Sequence, residues 1–156
     1  MGRRWIGIDV AYGALQTTRR RLQRIVQESG PGFAVYHVGE HPLPPSVSSA
    51  ALTWRCTRGA DGRTLEIEIS DYRAPEPTGA RRRGHAADDW RALVDAIDID
   101  PAYDGEILRP LLSDLPAKRR AAVQGRYTLA VPHDPLTVAL RVTDIYGHEL
   151  TETRTV

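Results

Sequence analysis

The chain has 156 residues, of which 41% are hydrophobic and 26% charged, with a net charge of +1. That length supports one domain with a real core or two small ones, and the near-neutral balance excludes a surface that binds nucleic acid over its whole extent, although local arginine clusters can still meet phosphate. A single cysteine, Cys56, excludes an internal disulfide and any metal-ligand spacing, so a cytoplasmic setting is expected; no apolar run approaches the ~20 residues of a bilayer crossing, the amino terminus lacks a signal-peptide core, and no membrane partner is expected. Thirteen Gly and eleven Pro against one Phe and one Met favour turns and strands over helical bundles.

The first predicted element is a strand. Trp5, Ile6, Gly7 and Ile8 form a short apolar run without polar alternation, as a strand buried on both faces of a parallel sheet requires. Asp9 closes the run. An acid at the carboxyl end of such a strand lies at the rim where open α/β sheets bind ligands, and its oxygens can accept hydrogen bonds from a ribose diol; Val10 would then lie against an adenine face. Ala11, Leu15, Leu22, Ile25 and Val26 continue as one stripe of an amphipathic helix, with Arg19, Arg20, Arg21 and Arg24 on its solvated side, and Ser29 to Gly32 end it.

Phe33, Val35 and Val38 mark a short strand, after which residues 39–46, with three prolines, read as a linker. Leu52, Trp54 and Cys56 alternate with Thr53, Arg55 and Thr57, a half-buried strand; Asp61-Gly62 offers a hairpin turn, and Leu65, Ile67 and Ile69 alternate with Glu66, Glu68 and Ser70 on the return. Residues 74–89 carry Pro75, Pro77, Gly79, Gly84 and Arg81-Arg82-Arg83 with almost no large apolar side chain, a surface loop. Trp90, Leu93 and Ile97 suit one face of a helical turn, while Val94 to Asp100 reads at least as well as a strand. Residues 102–105 form a turn, residues 108–115 are broken by Pro110 and read as irregular, and Lys118-Arg119-Arg120 makes a basic bulge. Tyr127, Leu129 and Val131 alternate, Leu136 to Thr143 alternates over eight residues, Asp144 to Gly147 turns, and the threonines of residues 150–156 favour a last strand. Turns every eight to twelve residues between short alternating strands suggest a β-sandwich. The expected class is α+β and mostly β: a strand-helix-strand piece over residues 1–45, a β-hairpin over 46–74, a loop over 75–89 and a sandwich over 90–156.

Two resemblances give these elements a functional meaning. Trp5, Ile6, Gly7, Ile8 and Asp9, with Arg4 at the open x, match the strand R-x-(W/F)-I-G-I-(D/E) of the beta-class site-specific DNA methyltransferases, which modify an exocyclic amino group of adenine or cytosine. The resemblance covers about the first sixth of the chain. It implies a Rossmann-like methyltransferase piece in which Asp9 holds the ribose of S-adenosylmethionine and Val10 touches its adenine. The family's Gly-rich loop of the type DPFxGSGT and its catalytic tetrapeptide of the (D/N/S)-PP-(Y/F/W) kind are absent; the one Pro-Pro pair, Pro44-Pro45, has neither a preceding acid or amide nor a following aromatic. The chain thus resembles the carboxyl-terminal part of such an enzyme, expected to be inactive alone and to need the missing amino-terminal part, DNA and possible restriction subunits as partners. The run HDPLTVALRVTDIYGHE resembles the closing strands of a PKD-like or immunoglobulin-like domain through Leu140, Val142, Asp144 and Gly147, with Leu136-Thr137 in place of the usual aromatic. Such modules bind or space, and a non-enzymatic β-sandwich module is the competing expectation for the whole chain.

The remaining constellations are weighed on their chemistry. Asp98, Asp100, Asp104 and Glu106 place several oxygens close in sequence, as Ca²⁺ sites do, but Pro101 and Tyr103 interrupt the EF-hand spacing and a solvated turn is expected instead. His37 and His41 are four apart, yet Gly39 and Pro42 oppose the helix that would align them, so no metal is expected. Arg81, Arg82, Arg83, Lys118, Arg119 and Arg120 are the candidate DNA-phosphate contacts, with solvated loops as the plainer reading. Trp90 beside Arg91 could stack on a base, although a core role suits it better.

Overall fold

The computed structural model describes residues 6–11, 14, 15, 17–19, 21, 22, 25, 33, 50–75, 89–116, 121–132 and 136–156. The chain divides into two compact units, Met1–Phe33 and Ala34–Val156.

In the first unit, residues 14, 15, 17–19, 21, 22 and 25 are helical, where the apolar stripe predicts a helix. The strand expected ahead of it does not form: residues 6–9 lie in no strand, and Ile6 and Ile8 are 91% and 89% exposed. The expected Rossmann-like piece is thus not supported by these residues. A strand is held by the ladder it shares with its neighbours, and no described residue of this unit belongs to a strand. Phe33 is likewise in no strand, and the rest of the strand expected through Val38, with the linker over residues 39–46, lies outside the described residues.

The second unit is built from two antiparallel sheets. β1 (Ala51–Arg58), β2 (Thr64–Arg73) and β5 (Arg126–Ala130) form one, in the order β1-β2-β5; β3 (Val94–Asp100), β4 (Leu112–Asp114), β6 (Thr137–Asp144) and β7 (Glu149–Thr155) form the other, in the order β4-β3-β6-β7. The hairpin that stands apart in the sequence is two-thirds of the first sheet, completed by β5 from far along the chain. Trp54, Leu65, Ile67, Ile69, Tyr72, Tyr127 and Leu129 from one sheet and Val94, Ile97, Ile99, Val138, Leu140 and Val142 from the other make a single core. Both sheets therefore follow the alternation of their strands, apolar side chains inward.

The β1-β2 turn is fixed by Asp61, whose Oδ1 accepts the Arg63 and Thr64 amides at 2.9 Å while Oδ2 accepts the Thr64 hydroxyl at 2.6 Å. Gly62 takes the positive φ of 66° that the turn needs. Register then slips once: Thr53 faces Asp71 but Trp54 faces Ile69, leaving Ser70 as an extra residue on β2. A bulge of this kind reverses the phase of the alternation. It turns Tyr72 inward, where its side chain is 1% exposed. A second slip, between Val94 and Ala96, does the same for β3 and keeps Val94, Ile97 and Ile99 in the core.

Trp90–Leu93 is a single 3-10 turn running directly into β3, so both halves of the ambiguous segment are realised in sequence. Asp89 caps the turn by accepting the Arg91 amide at 3.0 Å. The irregular stretch expected over residues 108–115 contains the three-residue β4, which pairs with β3 from Ile97 to Ile99. No helix among the described residues is long and apolar enough to cross a membrane.

Candidate functional site

Asp9 and Val10, the two residues carried by the methyltransferase resemblance, both lie on the surface of the first unit. Asp9 Oδ1 accepts the Ala11 amide at 2.8 Å, closing an Asx turn. The Ala11 carbonyl accepts the Ala14 and Leu15 amides, both at 3.0 Å, and so starts the helix. Asp9 thus has a local structural role that the sequence reading missed: it directs the chain into the helix. Its carboxylate sits one turn ahead of the first helical residues, where the partial positive charge of the amides favours an anion and hydrogen-bonding oxygens. Val10 is 100% exposed, an apolar face next to an acid. The six candidate DNA contacts, Arg81, Arg82, Arg83, Lys118, Arg119 and Arg120, lie outside the described residues, as do His37 and His41.

In the second unit the acidic run over residues 98–106 is divided by the fold. Asp98 and Asp100 are buried positions of β3, not a solvated turn, because β3 is a central strand with β4 and β6 on its flanks. Asp98 accepts Ser113 Oγ at 2.5 Å and Arg141 Nη2 at 2.6 Å. Arg141 also reaches Glu149 at 3.7 Å. Asp100 accepts the Ala102 amide at 3.0 Å and the Arg109 amide at 2.6 Å, so its carboxylate shapes the loop after β3. Asp104 and Glu106 do lie in an exposed turn. Asp104 accepts the Arg109 guanidinium and the Ile107 and Glu106 amides, and these donors hold its carboxyl well below the usual carboxylate range. Hydrogen-bond donors of the protein therefore occupy both carboxylate oxygens of Asp98, Asp100 and Asp104, and among the described residues no three His, Cys, Asp or Glu side chains converge.

Two further networks join the sheets. Asp144, fully buried, accepts the Tyr146 and His148 amides at 2.9 Å through Oδ1, and its Oδ2 meets Tyr72 Oη at 3.1 Å and His148 Nδ1 at 2.9 Å. The carboxylate at once forms the β6-β7 turn and ties it to β2. Asp114 accepts Tyr127 Oη at 2.8 Å and the Gln124 amide at 2.6 Å, while Tyr127 Oη accepts the Gly125 amide at 3.0 Å. Burial, reinforced by the Asp114 carboxylate, pushes the Tyr127 phenol above its ordinary range. The sequence signal for the first network is the Asp-x-x-Gly turn at Asp144 to Gly147; the second has none, since Asp114 and Tyr127 are joined only through the third dimension.

A concavity of about 660 Å³ lies where β5 begins, lined by residues that include Glu68, Ile69, Asp89, Trp90, Arg91 and Gly125. Gly125 has φ +79°, and a Cβ there would lie 3.0 Å from Trp90 Cζ2, so the close approach of backbone and indole requires glycine. Trp90 is partly buried against the core, which is the role expected for it. The charges at the cleft are matched, Asp89 with Arg91 and Glu68 with Arg126, and such a surface has no bias towards phosphate.

No family model, no curated protein and no solved structure matches this chain.

Proposed function

We propose that the chain is the carboxyl-terminal portion of a site-specific DNA methyltransferase, in which the first unit supplies one strand and one helix to an S-adenosylmethionine site and the two-sheet unit is a PKD-like or immunoglobulin-like β-sandwich appended to it. One observation carries this reading. Ile6, Ile8 and Val10, spaced as one face of a strand, stand almost fully exposed beside Asp9 and ahead of a formed helix. Exposed β-branched residues in that alternation are costly in water and favourable in a sheet, as expected of a strand whose neighbours lie in another segment. The wording Trp5 to Asp9 says which sheet.

In that setting Asp9 accepts hydrogen bonds from the cofactor ribose and Val10 packs on its adenine. The cofactor supplies an activated methyl group. A target base amine must be oriented and its proton removed by groups outside these residues, since neither the Gly-rich loop nor the (D/N/S)-PP-(Y/F/W) tetrapeptide is in the sequence. The sandwich supports the fold, contacts DNA through Arg81, Arg82, Arg83, Lys118, Arg119 and Arg120, or docks a restriction subunit.

The purified chain, incubated with DNA and S-adenosylmethionine labelled in its methyl group, is expected to transfer no label. Extended at its amino end by a family segment carrying the loop and the tetrapeptide, it is expected to transfer label, and Asp9→Ala is expected to weaken cofactor binding by about tenfold or more, the loss of hydrogen bonds to a charged acceptor. Transfer by the chain alone, or full cofactor binding by the extended Asp9→Ala variant, would overturn the proposal.

A second reading, a non-enzymatic β-sandwich module, is favoured by the second unit's own continuous core. It predicts that a chain starting at residue 34 retains whatever partner binding the full chain shows, whereas the methyltransferase reading requires the first unit.

A further inference from the structure

We draw no further inference here: the strongest candidate, the open cleft at the start of β5 floored by Ile69, Trp90 and Gly125, has walls of mutually paired opposite charges, and nothing in the structure shows what covers it.

Discussion

Two stretches of this chain carry nearly the same words and have opposite fates. Residues 5–10 read WIGIDV and residues 96–101 read AIDIDP: in each, isoleucines two apart lead to an aspartate. Ile97 and Ile99 are 0% exposed at the centre of a four-stranded sheet, with β4 on one flank and β6 on the other. Ile6 and Ile8 are about nine-tenths exposed and in no strand. The alternation says what a segment needs, namely a sheet to join and a core to face. Whether it is met depends on residues far away, here β6 some 40 positions after β3. The aspartates that end the two runs begin alike, Asp9 accepting the Ala11 amide and Asp100 the Ala102 amide, but Asp100 also accepts the Arg109 amide nine positions on, and Asp98 beside it is neutralised by Arg141 from β6.

The largest expected effects lie in β3 and β6. Arg141→Ala removes the guanidinium from the buried Asp98 carboxylate and is expected to destabilise the second unit by about 3–5 kcal/mol, read as a lowered denaturant midpoint. Replacing Asp98 and Arg141 together by apolar residues of similar volume should cost much less, since the burden is the stranded charge. Leu140→Ala, at a fully buried position, is expected to cost about 2–5 kcal/mol. Tyr72→Phe deletes one bond from the Asp144 network and is expected to cost about 1 kcal/mol.

Alkaline pH gives a graded test of the same unit. Tyr127 is held neutral above its ordinary range by burial and then by Asp114, and burial, opposed by Arg154, raises the Cys56 thiol. The unfolded chain releases both protons first, so above about pH 8.5 the folded state binds more protons and stability falls as pH rises. Unfolding followed across that range should show the decline, and Tyr127→Phe should flatten its upper part. An unchanged slope would mean that the phenol is not protected. The smallest effect is expected at the other member of the comparison: Ile6→Ser or Ile8→Ser should change the stability of the second unit, read from its denaturant midpoint, by less than about 0.5 kcal/mol, because neither side chain is buried.

Most strands of the second unit were legible in the sequence because their alternation is local and their turns carry Asp-Gly or Asp-x-x-Gly signals. The hairpin from Leu52 to Ile69 and the strands around Leu140 are of this kind. What could not be read is pairing at a distance. The position of β5 beside β2, the burial of Asp98 and Asp100, and the Asp114 to Tyr127 bond all join residues from different parts of the chain. Asp98 and Asp100 look solvated because alternation with Ile97 and Ile99 describes a half-buried strand equally well; only β3's two neighbours and the arginine opposite make the polar side a buried one. The bulge at Ser70 is equally silent, and without it Tyr72 would face outward. At the candidate site, sequence alone drew attention to Asp9 through a motif but placed it at the end of a strand, whereas its carboxylate closes a turn into the helix.

Amide hydrogen exchange across the two isoleucine stretches tests the central claim most directly. In the chain by itself, the amides of Ile97 and Ile99 should be strongly protected and those of Ile6 and Ile8 should exchange at nearly unprotected rates. If the methyltransferase proposal holds, Ile6 and Ile8 should become protected in the amino-terminally extended chain, where their strand would join its sheet. Strong protection of Ile6 and Ile8 in the chain by itself, or their continued free exchange in an extended chain that is active, would contradict the account.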